Sequence, residues 1–126
     1  MSIEVAPLEF DAMVRLAIGR LPVQFRDALE LVRVEVLDRP TALQLASVGL
    51  AEDELLLGLY DGVPLTLRSV QDLPHPPDVI YLFRHDLEDA CETVEQLEEE
   101  VGITLFHELG HYFGFDEEEL ESLGYG

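Results

Sequence analysis

Hydrophobic and polar positions alternate with a helical period at both ends of the chain and with a strand period in its middle. Leu8, Ala12, Met13, Leu16, Ala17 and Leu21 recur at helical spacing, so residues 8–21 predict an amphipathic helix. Pro22 ends it or opens a short helical turn through Leu29. Leu31 to Leu37 alternates valine with charged residues, the pattern of a half-buried strand, closed by Asp38-Arg39-Pro40. Residues 41–48 read as a short helix or loop. Leu55 to Tyr60 is a second apolar run ended by Asp61-Gly62, a hairpin-type turn, and Pro64 to Val70 is a plausible returning strand. Pro74-His75-Pro76-Pro77 predicts a rigid loop, and Asp78 to Arg84 a well-buried strand. Beyond His85 the period becomes helical. Leu87, Ala90, Cys91 and Val94 mark one helical face, and a longer helix is expected from about Thr93 to Phe113. Its apolar positions are Leu97, Val101, Leu105, Leu109 and Phe113, with Gly102 and Gly110 as sites of close backbone packing. The expected architecture is α+β in a single domain spanning 1–126, with a small sheet backed by an N-terminal helix and a long late helix.

That late helix carries His107-Glu108-Leu109-Gly110-His111. Histidines four residues apart lie on one helical face, so both imidazoles reach one zinc ion, with Glu108 beside them as a base for water. Gly114 follows where a left-handed residue ends a helix and reverses the chain, bringing a later side chain back to the metal. A catalytic zinc site has three protein ligands and one open position. Asp116, Glu117, Glu118 and Glu119 are the next candidates for the third, with Glu117 ahead of Asp116 and a water or another residue as the remaining alternative. Asp116 with Glu119 fits a capping box for a last helix from Glu117 to Leu123, which would occupy Asp116 and favour Glu117. Glu118 and Glu121 are expected in solvent.

Residues 107–117, read as H-E-L-G-H-Y-F-G-F-D-E, resemble the extended H-E-x-x-H-x-x-G-x-x-(D/H) motif of the small bacterial zincin-like, "minimal" metallopeptidases. The resemblance implies a minimal zincin-like fold and a zinc-dependent peptidase with one Zn²⁺. Its metal ligands would be His107, His111 and Glu117, and Glu108 its general base. In that family the eleventh motif position is commonly Asp, whereas here it is Glu117, with Asp116 just before it. Nine residues follow Glu117 and none is Met, so the Met-turn of larger metzincins is absent. In the implied mechanism Glu108 takes a proton from water and passes it to the leaving amine. Tyr112, Tyr81 and His85 are candidates to stabilise the oxyanion, although Tyr112 is expected to pack, and His75 and His85 to lie at the surface.

Charge narrows the partners. The formal net charge is −20, which disfavours nucleic acid and anionic membrane surfaces. Residues 1–84 hold seven Arg against 13 acidic residues, and residues 85–126 hold 14 acidic residues and no Arg or Lys. The motif thus lies in a negative field that favours neutral or basic peptide or protein substrates. The single Cys91 excludes an intrachain disulfide and reads as a small buried hydrophobe. An N-terminus without basic residues, together with the lack of a membrane-spanning run, predicts a cytoplasmic location. The rival reading is a non-catalytic metal-binding module, or a partner-dependent interaction protein that retains a zincin scaffold.

Overall fold

A computed structural model describes residues 3–65 and 78–122 of the 126-residue chain. Helix α1 spans Pro7–Gly19 and buries Phe10, Met13, Val14 and Ala17. Pro22 precedes a short helix, α2 (Val23–Asp27), which runs into a 3₁₀ turn at Ala28–Glu30. Strand β1 covers Val32–Leu37, and α3 covers Ala42–Ser47. Helix α3 opens with a capping box, in which Gln44 N–H donates to Thr41 Oγ1 and Thr41 N–H donates to the Gln44 side chain. Strand β2 is Gly58–Asp61 and β3 is Asp78–Phe83. Helices α4 (Arg84–Asp89), α5 (Val94–Phe113) and α6 (Glu117–Ser122) complete the described chain.

The sheet order is β1-β3-β2, with β1 parallel and β2 antiparallel to the central β3. Burial on two sides explains why β3 is nearly all apolar while β1 alternates. Val32, Ile80 and Leu82 form one core with α1 and α5, and Val34, Val36 and Tyr60 pack against it. Leu97, Val101, Leu105 and Leu109 of α5 are fully buried, as the four-residue spacing predicts.

Three expectations change. The helical face through Leu87, Ala90, Cys91 and Val94 is not continuous. Helix α4 ends at Asp89, and Thr93 Oγ1 accepts from Gln96 N–H to start α5 afresh. A capping side chain competes with helix continuation, and here it wins. Gly102 meets nothing, since a Cβ there would have open space. The apolar run from Leu55 becomes strand only at Gly58. Most of the expected strand 64–70 and the loop 74–77 fall outside the described residues.

Two buried carboxylates fasten the connections. Glu88, 1% exposed, accepts from Val5 N–H at 2.8 Å and pairs with His85 Nδ1 at 2.7 Å. His85 is therefore held in the fold and is not a free surface residue. Asp86, 2% exposed, accepts from Arg39 Nη1 at 2.8 Å and from Leu56 N–H at 3.0 Å. Buried carboxylates persist only when hydrogen-bonded in this way. Cys91 is buried as expected, and that burial pushes its thiol pKa up. No helix among the described residues is long and apolar enough to cross a membrane.

Glu88→Ala would leave Val5 N–H and His85 without their buried partner. We expect a loss of about 3 kcal/mol in urea unfolding, with the N-terminal amides gaining hydrogen-exchange lability first.

Candidate metal centre

The site is built from the C-terminal end of α5 outward. His107 and His111 stand one turn apart, with ring centroids 4.7 Å from each other and planes at 82°. Their Nε2 atoms are 3.1 Å apart. Phe113 ends the helix, and Gly114 takes φ 94°, the left-handed conformation that glycine adopts without strain. Phe115 N–H then donates back to Gly110 C=O at 2.9 Å, closing a Schellman-type cap. The reversal carries the Phe115 carbonyl to His111 Nδ1 at 3.0 Å. A carbonyl only accepts, so His111 Nδ1 donates in that contact and Nε2 is the ring nitrogen that faces the site.

Helix α6 delivers a carboxylate to the same point. Glu117 Oε1 lies 2.9 Å from His111 Nε2, and Glu117 Oε2 lies 3.0 Å from His107 Nε2. Asp116 does something else. Its Oδ1 accepts from Glu119 N–H at 2.8 Å while Glu119 Oε1 accepts from Asp116 N–H at 3.3 Å, the two arms of the expected capping box. Glu118 and Glu121 are exposed. The docking of α6 depends on Gly110, because a Cβ there would overlap the side chain of Leu120, which is fully buried.

Glu108 is oriented by the sheet. Its Oε1 accepts from Tyr60 N–H on β2 at 2.8 Å. Leu57 C=O accepts from Phe83 N–H, so Leu59 and Asp61 bond inward to β3 while Gly58 and Tyr60 turn their backbone groups outward. The approach of β2 to α5 requires Gly58, where a Cβ would meet Thr104 Cγ2 at 2.5 Å and Tyr81 O at 3.1 Å. Burial is the main cause that raises the Glu108 pKa above 4.5. His111, His107 and the Tyr60 N–H oppose the shift, and Glu117 adds to it.

Ligand atoms of His107, Glu108 and His111 all lie within 4.8 Å of one another. Glu108 has one oxygen committed to Tyr60, whereas Glu117 has both oxygens turned to the imidazoles. The two Nε2 atoms and the Glu117 carboxylate are therefore a second donor set, beside the His-Glu-His cluster, that could hold zinc. Donors on a zinc tetrahedron stand about 3.3 Å apart, close to the spacings of 2.9–3.1 Å here. Two imidazole nitrogens and a carboxylate gathered this closely are donors suited to a shared cation.

Residues 29–126 match the sequence model of the zincin-like metallopeptidases. The chain belongs to the zincin-like metallopeptidase family. Zinc binding is implied by that membership, and the His-Glu-His cluster supplies a place for it. The fold is similar to the solved structure of a conserved hypothetical protein from Thermus thermophilus. That match has 26% identity and a TM-score of 0.55, and covers 94% of this chain and 97% of the other. No curated protein matches this member of the family.

The motif residues line a cleft of about 660 Å³ together with Val48, Leu50, Leu56, Gly58, Leu59, Tyr60, Pro64 and Phe115. None of the three residues considered for an oxyanion lines it. Tyr112 is 2% exposed and packs edge-on to Tyr60, Tyr81 stacks on Phe83, and His85 pairs with Glu88. Sequence reasoning missed the Tyr60 N–H and the wall from Val48 to Leu56. An isolated Gly58 inside an apolar run was the available sign that backbone approaches closely there.

Two outcomes follow from this packing. Gly110→Ala costs about 1–3 kcal/mol in overpacking against about 1 kcal/mol gained in helix propensity. Denaturant unfolding should show a net loss, and the loss should be smaller when Gly110→Ala is added to a Leu120→Ala chain, where the overlapping side chain is gone. In the metal-free protein, ionised Glu108 is destabilising, because its folded pKa lies above the unfolded one. That penalty is full above the raised value and vanishes below about 4.5. Glu108→Gln keeps an acceptor for Tyr60, so with chelator present it should unfold at higher denaturant than the parent at pH 8, the difference closing toward pH 4.

Proposed function

We propose that this protein is a zinc-dependent peptidase in which His107, His111 and Glu117 hold one Zn²⁺ and Glu108 is the general base. The observation that carries this reading is the convergence of the two Nε2 atoms and the Glu117 carboxylate within 2.9–3.1 Å, in an open cleft beside Glu108. Bound zinc supplies Lewis acidity, which makes water a better nucleophile at neutral pH and polarises a carbonyl.

The chain's own residues do the rest. The Phe115 carbonyl fixes the His111 tautomer, and α6 presents Glu117 from the solvent side, its side chain 69% exposed. Glu108 keeps Oε1 on the Tyr60 N–H, leaving Oε2 to take a proton from the attacking water and return it to the amine nitrogen. Its raised pKa brings it nearer the range in which a base both accepts and releases a proton. An extended peptide lies in the cleft beside Leu59 and Tyr60 of β2, within reach of Glu108. The acidic surroundings favour neutral or basic substrates over acidic ones and give nucleic acid nothing to bind. The free thiol of Cys91 suits a reducing cytoplasm.

Incubation of the zinc-loaded protein with a mixed peptide library, read by mass spectrometry, tests this. Glu108→Gln should retain one zinc per chain and lose at least about 100-fold in cleavage rate. Glu117→Ala should lose zinc affinity beyond the ~10–100-fold typical of an outer-shell change, measured by competition with a chromophoric chelator. Equal cleavage by the parent and Glu108→Gln would discard the peptidase reading in favour of a metal-binding module.

A further inference from the structure

The cleft has two unlike sides. Helices α5 and α6 and the turn between them contribute His107, Glu108, His111, Asp116 and Glu117. Facing them, the connection between α3 and β2 contributes Val48, Leu50 and Leu56, and Phe115 and Pro64 extend the apolar surface. Single exposed apolar residues are ordinary. Here they converge on one cleft, opposite the metal donors.

The wall is also built to hold its shape. Leu45, 5% exposed, anchors α3 in the fold. After α3, Gly49 takes φ 75°, and Leu50 N–H donates to Leu45 C=O at 2.9 Å. At the other end Leu56 N–H is bound by the buried carboxylate of Asp86. The segment is thus fixed at both ends, yet Val48 remains 44% exposed. Apolar side chains pinned in water beside a reactive site have a use when a ligand covers them. The charged groups described in the cleft are acidic apart from the two imidazoles, so an acidic ligand side chain is repelled.

We propose that this wall is a side-chain subsite, and that the protein selects extended peptides with a bulky uncharged apolar residue next to the bond to be cut. The proposal rests on reading the cleft as a peptide site. In an extended peptide alternate side chains point to opposite faces, so one lying in the cleft beside the metal donors turns a side chain onto Val48, Leu50 and Leu56. Specificity is then set by the α3–β2 connection, while the chemistry is set by α5 and α6.

The test measures binding apart from cleavage. Full-length Glu108→Gln, loaded with zinc, is titrated by NMR with capped hexapeptides that differ only at one central position, Leu, Ser or Asp. We expect the Leu peptide to bind at least about tenfold more tightly than the Ser peptide and the Asp peptide to bind most weakly. Adding Val48→Ser or Leu50→Ser should remove most of the Leu preference with zinc content unchanged. Val48 is exposed enough for its replacement to leave the fold intact. Equal affinity for Leu and Ser peptides, absence of binding by all three, or a full Leu preference in both wall variants overturns the proposal. Failure of the peptidase reading shows separately, as equal cleavage by the parent and Glu108→Gln, and leaves the binding preference measurable.

Discussion

The hydrogen bond from Tyr60 N–H to Glu108 joins the two halves of this molecule that matter. One partner belongs to a strand of the sheet, and the other is the second residue of a motif on a helix. The bond forms only because Gly58 lets β2 lie against Thr104. Once it forms, the register of β2 on β3 determines where the carboxylate points, and the outer edge of β2 runs past the two histidines. A larger residue at Gly58 would separate helix and strand, and base and edge would lose their common frame. The fold and the site therefore share one constraint, a close helix–strand approach at a single glycine.

Much of this was legible in the sequence because it is local. The four-residue spacing from Leu97 to Leu109 reported the buried face of α5, and H-E-x-x-H reported the two imidazoles on another face of it. Gly114 and the Asp116/Glu119 pair reported a helix end, a reversal and a new helix start, and from these the competition between Asp116 and Glu117 could be framed in advance. What stayed hidden is non-local. Nothing near Tyr60 in sequence shows that its N–H serves a carboxylate 48 residues away. Leu120 is one apolar residue in an acidic run, and its contact with Gly110 exists only after the chain has reversed. Tyr112 packs, as its place on the helix predicts, and the Tyr81 side chain, a candidate by its identity alone, is used by stacking on Phe83.

The site is electrostatically uneasy without its ion. Glu108 is drawn out of water, two imidazole nitrogens and a carboxylate crowd together, and 14 acidic residues occupy the same third of the chain. A cation bound among these groups would offset the burial of Glu108 and the crowding of acid, so an ion held there would add to the stability of the fold. Helix α6 is held by the fully buried Leu120 and by the two contacts of Glu117 with the motif histidines.

The last strand of a sheet is a hazard wherever its edge is uncovered, because it can accept the same strand of another copy. Strand β2 is four residues long and ends on the exposed Asp61, so the template it offers is short. Two copies meeting edge to edge would also bring together chains of formal charge −20 each. The surplus of acid thereby acts as a guard against fibre-like self-pairing along the strand that borders the site.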